Sequence, residues 1–208
     1  MSTTIYLTRH GETLWNSEGR MQGWKDSPLN DRGLSQAQLL GNKLQKLDID
    51  IIYSSPIGRA KHTAEILKGD KNIPIIFDDR LKEINMGKWE GMLRKDIGSI
   101  YESDLYNFFN EPNKYMPVEG ETFNDVLFRT SSFIDDIVNT HSGKNLLIVT
   151  HTITLKSILL NIEGIGLENF WDETYIYPTS LSIIKIGDSS KDILLRADIS
   201  HFEDDCKL

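Results

Sequence analysis

The run Asn-Leu-Leu-Ile-Val-Thr-His at residues 145–151 indicates the fold class of this chain. Its four apolar residues, Leu146 to Val149, are continuous and do not alternate with polar ones. A short run of this kind is typical of a strand covered on both faces, as in a parallel sheet with helices on each side. The run therefore predicts a central parallel strand, and the strands and helices that alternate around it predict an α/β fold.

The same alternation extends along the 208 residues. Further strands are predicted at Ile5–Thr8, Ile49–Tyr53, Ile73–Phe77 and, as a hairpin around Gly187-Asp188, at Leu181–Ile186 and Ile193–Ala197. Helices are predicted from Asn30 to about Leu47, from Ser55-Pro56 onward, from about Thr122 to Asn139, and from His151 to near Leu160. Ser55 is expected to cap the second helix, with Pro56 at its first helical position. The pattern predicts a three-layer α/β/α sandwich with a mostly parallel central sheet.

One stretch departs from this alternation. From about Gly87 to Lys114 the chain is polar and loop-rich, although Tyr101, Phe108 and Phe109 indicate a helix within it. No repeat or Pro/Gly-rich linker divides the sequence. We therefore expect a single domain over residues 1–208, with a small helical and loop cap insertion at roughly 87–121.

The composition excludes several classes of protein. Hydrophobic residues make up 39% and charged residues 26%, which is ordinary for a globular chain and argues against disorder. A net charge of −8 does not favour a nucleic-acid binder, which needs a basic face. The apolar cluster Ile5–Leu7 is too short for a signal peptide, and no run reaches the ~18 apolar residues of a membrane span. The lone cysteine, Cys206, cannot form an internal disulfide, so we expect a cytoplasmic protein.

Chemically active side chains follow three of the predicted strands. The first strand ends at Arg9 and His10, the second leads to Arg59, and the central strand ends at His151. The carboxyl ends of parallel strands meet at one edge of a sheet, where ligands bind. Two arginines and two histidines at one edge suit a phosphoryl group, because guanidinium forks match phosphate oxygens. The N-terminus of the helix after Pro56 is expected to add donors for an anion.

The ordered set of motifs resembles the histidine phosphatase superfamily, also called phosphoglycerate mutase-like. The resemblance covers roughly residues 4 to 186. It rests on Arg9-His10-Gly11-Glu12-Thr13, Trp15-Asn16, Gln22-Gly23, Asp26, Pro28-Leu29-Asn30, Gly33, Gln36-Ala37, Ser54-Ser55-Pro56, Arg59-Ala60, Thr63-Ala64, Glu83-Ile84, Gly87, Trp89-Glu90-Gly91, Gly120-Glu121-Thr122, Arg129 and Val149-Thr150-His151. A lone Arg-His-Gly-Glu is a weak signal, whereas the ordered set is specific.

This resemblance implies roles for particular residues. His10 is the nucleophile that becomes phosphohistidine, and Glu83 is the proton donor. The phosphoryl oxygens are held by Arg9, Arg59 and His151. Substrate contacts are implied for Asn16, Gln22, Gly23 and Thr152. Thr152 stands where the family usually has glycine, which puts the size or placement of the substrate in question.

The function that follows is hydrolysis of small phosphate esters by a metal-independent histidine phosphatase without a cofactor. Its partner would be a small phosphorylated metabolite, and no nucleic acid or membrane is expected. A neutral imidazole can attack phosphorus, and fixed cations can stabilise the transition state. The remaining histidines, His62, His141 and His201, fit no ligand spacing and are interpreted as surface residues.

Two other functions stay open at this point. The first is a 2,3-bisphosphoglycerate-dependent phosphoglycerate mutase, which shares the chemistry but needs extra cationic groups. The predicted cap argues against it, because its acidic residues outnumber its basic ones; they are Glu90, Asp96, Glu102, Asp104 and Glu111. The second is a non-catalytic phospho-ligand-binding module, disfavoured because His10, Glu83 and His151 are all present. The sequence names neither the physiological substrate nor the oligomeric state.

Overall fold

The computed structural model describes residues 2–171 and 174–202. Its strands are β1 (Thr3–Arg9), β2 (Ile51–Ser54), β3 (Ile75–Phe77), β4 (Asn145–Thr150), β5 (Leu181–Ile186) and β6 (Lys191–Asp198). Its helices are α1 (Leu14–Glu18), α2 (Asp31–Leu44), α3 (Gly58–Lys68), α4 (Arg94–Ile100), α5 (Glu102–Asn110), α6 (Phe123–Thr140) and α7 (Thr152–Glu163). Cys206 lies outside the described residues. None of the described helices is long and apolar enough to cross a membrane.

The six strands form one sheet in the order β3-β2-β4-β1-β5-β6. Strands β3, β2, β4 and β1 are parallel, while β5 and β6 form an antiparallel hairpin at one edge. The predicted α/β fold with a mostly parallel sheet is confirmed. In register, Arg9 at the end of β1 lies opposite Thr150 at the end of β4, so His10 and His151 leave the sheet side by side.

The two faces of β4 belong to separate cores, as its continuous apolar run predicted. Leu146 and Ile148 pack with α6 and α7, for example against Phe133 and Ile158. Leu147 and Val149 pack on the other face with side chains of α2 and α3, such as Leu40. Side chains alternate between the faces of a strand, so this one strand joins both helical layers.

The start of α3 differs from the prediction. The helix begins at Gly58 with Ile57 at its N-cap, not at Pro56, and Ser55 does not cap it. Instead Asp26, from a distant loop, accepts the backbone N–H of Arg59 at 3.1 Å. A carboxylate therefore occupies the helix end that the sequence assigned to an anionic ligand. Other differences are small. Helix α2 ends at Leu44 and not at about Leu47, and α7 continues past Leu160 to Glu163. Strands β2 and β3 each begin two residues later than predicted.

Residues 87–121 contain α4, α5 and two short 3₁₀ helices. The interior of this segment is aromatic, with Trp89, Phe108 and Tyr115 packed on Phe123 of α6 and Ile153 of α7. The ring centroids of Phe108 and Tyr115 are 5.0 Å apart in an edge-to-face arrangement, which is favourable for aromatic pairs. This third cluster fixes the segment beside the strand ends.

Two of the three histidines expected at the surface are partly buried. His62 is exposed. His141 is half-buried, with its Nε2 2.8 Å from the hydroxyl of Tyr53. His201 is also half-buried, and this burial lowers its pKa to about 4. The burial of His141 and His201 results from packing against segments distant in sequence, and the spacing between histidines does not predict such packing.

Candidate active site

His10 lies just beyond the end of β1 and is 3% exposed. Its backbone N–H donates to Thr150 O at 2.9 Å, which ties it to the neighbouring strand. Its Nδ1 lies 2.7 Å from the carbonyl oxygen of Gly11. A carbonyl oxygen only accepts, so Nδ1 carries the proton and Nε2 presents a lone pair. Arg59 Nε donates to that Nε2 at 3.2 Å.

Arg59 is held by the loop that precedes it in sequence by more than thirty residues. Its side chain is 1% exposed. Nη1 donates to Lys25 O at 2.7 Å and to Asp26 Oδ1 at 3.3 Å, and Nη2 donates to Gly23 O at 2.8 Å. These contacts leave the guanidinium a single orientation, with its Nε edge toward His10.

Arg9 places a second guanidinium in the same region. It is 8% exposed, and its Nη1 donates to Ile176 O at 2.9 Å. Its buried Nε finds no hydrogen-bond partner among the described residues. Burial lowers the pKa of Arg9, although nearby groups, Tyr175 and Glu83 among them, oppose the shift. An N–H of this kind is available to an anion.

His151 is fully buried at the N-cap of α7. Its Nε2 lies 2.8 Å from Ser55 Oγ, and its ring centroid is 5.1 Å from that of His10. Its Nδ1 has no partner within the described part of the chain. Burial, reinforced by the positive charges of Arg59 and Arg9, lowers the pKa of both histidines well below the usual value of 6.5. Both imidazoles are therefore neutral at neutral pH.

Glu83 reaches the same region from the loop after β3. Its carboxylate lies at the N-terminus of α7, where Oε2 accepts from Ile153 N at 3.2 Å and Oε1 from Thr154 N at 3.3 Å. Oε1 also accepts from Ile84 N at 2.9 Å. The positive end of a helix stabilises a carboxylate. These bonds fix Glu83 at the wall of the cavity, 7% exposed.

A cavity of about 300 Å³ opens over these groups. All the predicted site residues except His151 are among those lining it; they are Arg9, His10, Asn16, Gln22, Gly23, Arg59, Glu83 and Thr152. Two of them also brace the loops. Asn16 Oδ1 accepts from Thr13 N at 3.1 Å, and Gln22 Oε1 accepts from the Thr13 hydroxyl at 3.1 Å.

Other lining residues were not predicted from the sequence. They are Gly19, Arg20, Met21, Met86, Arg94, Phe108, Phe109, Ile153, Trp171 and Tyr175. The guanidinium of Arg94 lies over the ring of Phe109, 4.0 Å from its centroid. None of the five acidic residues named in the predicted cap is among the lining residues. The wall formed by residues 87–121 is therefore apolar and basic, contrary to the expectation of an acidic cap.

The arrangement combines a neutral imidazole with fixed cations. His10 Nε2 is unprotonated, and the two buried guanidinium groups of Arg9 and Arg59 lie in the same region. Fixed positive groups stabilise phosphoryl transfer largely by position and charge. Among the described residues, no cluster of three or more His, Cys, Asp or Glu side chains could hold a metal ion.

Comparison with known proteins assigns the family. The solved structure of Bacillus stearothermophilus YhfR is 42% identical, with a TM-score of 0.94, covering 97% of this chain and 100% of that one. Phosphoserine phosphatase 1 of Hydrogenobacter thermophilus is 35% identical over 80% of this chain and 79% of its own length. Probable phosphoglycerate mutase GpmB of Escherichia coli is 34% identical over 88% of this chain and 83% of its own. The family model of the histidine phosphatase superfamily (branch 1) matches residues 5–199, and the chain belongs to that superfamily.

Proposed function

We propose that this phosphomonoesterase works through a phosphohistidine at His10. The observation that carries the proposal is the hydrogen bonding of the imidazole, which indicates its protonation state. Its Nδ1 is bonded to a carbonyl, and its Nε2 lone pair faces the cavity region beside Arg59. An imidazole in this state can attack phosphorus without first losing a proton.

The reaction has two steps. In the first, a bond forms between His10 Nε2 and phosphorus while the bond from phosphorus to the ester oxygen breaks, and Glu83 in its protonated form gives that oxygen a proton and becomes a carboxylate. In the second, Glu83 takes a proton from water, whose oxygen attacks phosphorus and releases His10 and inorganic phosphate. Arg9, Arg59 and His151 stabilise the charge on the phosphoryl oxygens. Binding of the phosphoryl group replaces the contact between Arg59 Nε and His10 Nε2 with bonds to phosphate oxygens.

The substrate is a small phosphorylated metabolite. A cavity of about 300 Å³ supports a compact ester, and one such ester is the phosphoserine named for the Hydrogenobacter relative. Asn16, Gln22, Gly23 and Thr152 lie where they would touch it. Residues 87–121 would act as its cap, and the lone cysteine favours a cytoplasmic location.

A mutase is the less supported alternative. The Escherichia coli relative is named a probable phosphoglycerate mutase, and Arg20 and Arg94 add positive charge to the cavity wall. A mutase must also shield the phosphohistidine from water until a second hydroxyl accepts the phosphoryl group. We favour hydrolysis, in line with the phosphatase relative, and an assay with 3-phosphoglycerate separates the two activities.

The test is to trap the intermediate. Rapid quenching with ³²P-labelled substrate, without acid, should leave label on the protein in a form that is labile in acid and stable in base. His10→Ala should carry no label, while Glu83→Gln should slow turnover by about 10²–10⁴-fold. Near wild-type turnover in His10→Ala would refute the mechanism.

A further inference from the structure

The carboxylate of Glu90 joins two separate segments of backbone. Its Oε1 accepts from Trp24 N at 2.8 Å and from Met86 N at 3.1 Å, and its Oε2 accepts from Lys25 N at 3.1 Å. Lys25 Nζ also donates to the backbone carbonyl of Glu90 at 3.0 Å. One half-buried side chain thus fixes residues 23–25, here called the 23–25 loop, against the segment that follows Glu83.

The other side of the 23–25 loop contacts Arg59. The loop carbonyls of Gly23 and Lys25 accept from Arg59 Nη2 and Nη1 at 2.8 and 2.7 Å. The loop is therefore a single layer between the Glu90 carboxylate and the buried guanidinium. If the carboxylate is removed, the backbone N–H groups of Trp24 and Lys25 lose the acceptor that sets the position of both carbonyls.

Gly23 shows how closely the loop approaches Glu90. Its φ is +55°, and a Cβ at this position would lie 2.2 Å from Glu90 Oε1. A side chain cannot fit there unless Glu90 moves away. The loop also touches the proposed proton donor, since Trp24 Nε1 donates to the backbone carbonyl of Glu83 at 2.8 Å.

We propose that Glu90 is a positioning residue, which orients Arg59 against His10 and the phosphoryl group by holding the 23–25 loop in place. The inference rests on the proposed function, because it concerns how the phosphoryl site is aligned. Glu90 is not among the residues that line the cavity. Its effect passes through the loop carbonyls, so its loss changes the rate of the chemical step more than substrate binding.

The position of Arg59 relative to His10 also affects the pKa of His10, which can be measured. The charged or titratable groups beside His10 include Arg59 and Arg9, His151 with its ring centroid 5.1 Å away, and Glu83 in the same cavity wall. Of these, Arg59 and then Arg9 lower the pKa of His10 by their positive charge, in addition to burial. If Arg59 moves away, the pKa of His10 rises. The pH profile of kcat/KM reports the pKa values of essential groups in the free enzyme. Its acidic side, here called the acid limb, then moves to higher pH. Over the pH range in which a variant stays folded, a loss of stability alone does not move that limb.

The experiment compares Glu90→Ala and Glu90→Gln with Glu111→Gln as a matched control. Glu111 lies in the same segment and forms an ion pair with Lys114 at 2.9 Å, but it does not contact the 23–25 loop. Hydrolysis of 4-nitrophenyl phosphate is measured from pH 4.5 to 9 on folded protein. We expect kcat to fall about 10- to 100-fold in Glu90→Ala with a smaller change in KM, and the acid limb to move upward. Glu90→Gln keeps one acceptor oxygen and should fall between Glu90→Ala and wild type.

The outcomes separate this inference from the proposed function. Absence of a phosphoenzyme in the wild-type protein would overturn the function. The wild-type protein could form the phosphoenzyme while folded Glu90→Ala keeps the kcat and the acid limb of the wild type. That result would overturn only the role of Glu90. If Glu90→Ala does not fold, Glu90→Gln decides by the same criteria. A shift of equal size in Glu111→Gln would also refute the inference, because it would show a general effect of charge.

Discussion

Acid should destabilise this protein in a pH range set by its buried histidines. His10 and His151 are 3% and 0% exposed, and the pKa of each is lowered well below 6.5 by burial and nearby arginines. In the unfolded chain their pKa is about 6.5. Below that pH the unfolded state binds protons that the folded state does not, so the free energy of unfolding decreases as pH falls.

The magnitude follows from the number of groups. Each neutral buried histidine contributes a slope that approaches about 1.4 kcal/mol per pH unit below pH 6, as long as the pH stays above its folded pKa. The two together give nearly 3 kcal/mol per unit, a large part of a total stability of about 5–15 kcal/mol. His201, with a pKa of about 4, acts in the same direction.

The assay is urea unfolding at intervals of half a pH unit from 7.5 to 5.0. We expect a steep decrease that begins near pH 6.5, and a slope reduced by about 1.4 kcal/mol per unit in His151→Asn. Thr63→Val is the control, since it removes a buried hydroxyl bonded to Gly11 N but no titrating group. It should lower stability by about 1–3 kcal/mol at every pH without changing the slope. Equal slopes in His151→Asn and wild type would refute the reasoning.

Three further predictions concern the chemistry. Activity should survive exhaustive chelation with EDTA, because fixed arginines supply the positive charge; a loss restored only by a divalent ion would contradict the mechanism. Thr152→Gly should alter the relative rates on substrates of different bulk, since Thr152 lines the cavity at the first residue of α7; unchanged relative rates across a panel would show that the threonine is neutral. With 3-phosphoglycerate and a catalytic amount of 2,3-bisphosphoglycerate, released phosphate should exceed 2-phosphoglycerate or neither should form; fast isomerisation with little phosphate would establish the mutase.

The sequence predicted those features that depend on local pattern. The continuous run Leu146–Val149 identified the central strand, and β5 was predicted with both of its ends correct, at Leu181–Ile186. The strand ends then placed Arg9, His10 and His151 at one edge. Local pattern specifies these elements. The run in β4 is buried on both faces and has no polar position, whereas the end of β5 is marked by the turn at Gly187-Asp188.

Contacts between distant segments could not be predicted in this way. The start of α3 depends on Asp26, which caps the helix from a loop 33 residues away and takes the place that Ser55 was expected to fill. The character of the cavity wall depends on which side of α4 and α5 faces inward, and Arg94 and Phe109 face the cavity while the acidic residues do not. Composition does not distinguish side chains that face the cavity from those that do not, so it led to the prediction of an acidic wall.

The position of β1 in the sheet has a consequence for synthesis of the chain. β1, residues 3–9, lies between β4 and β5, which begin at residues 145 and 181. When the ribosome has made β1, both of its partners are still missing. At about 5–20 residues per second, the strand waits on the order of 10 s before the first partner is made. The segment that carries His10 is thus made before either of its partner strands and paired late, so a chain that stops before β4 has this histidine but not the side chains that surround it in the folded protein.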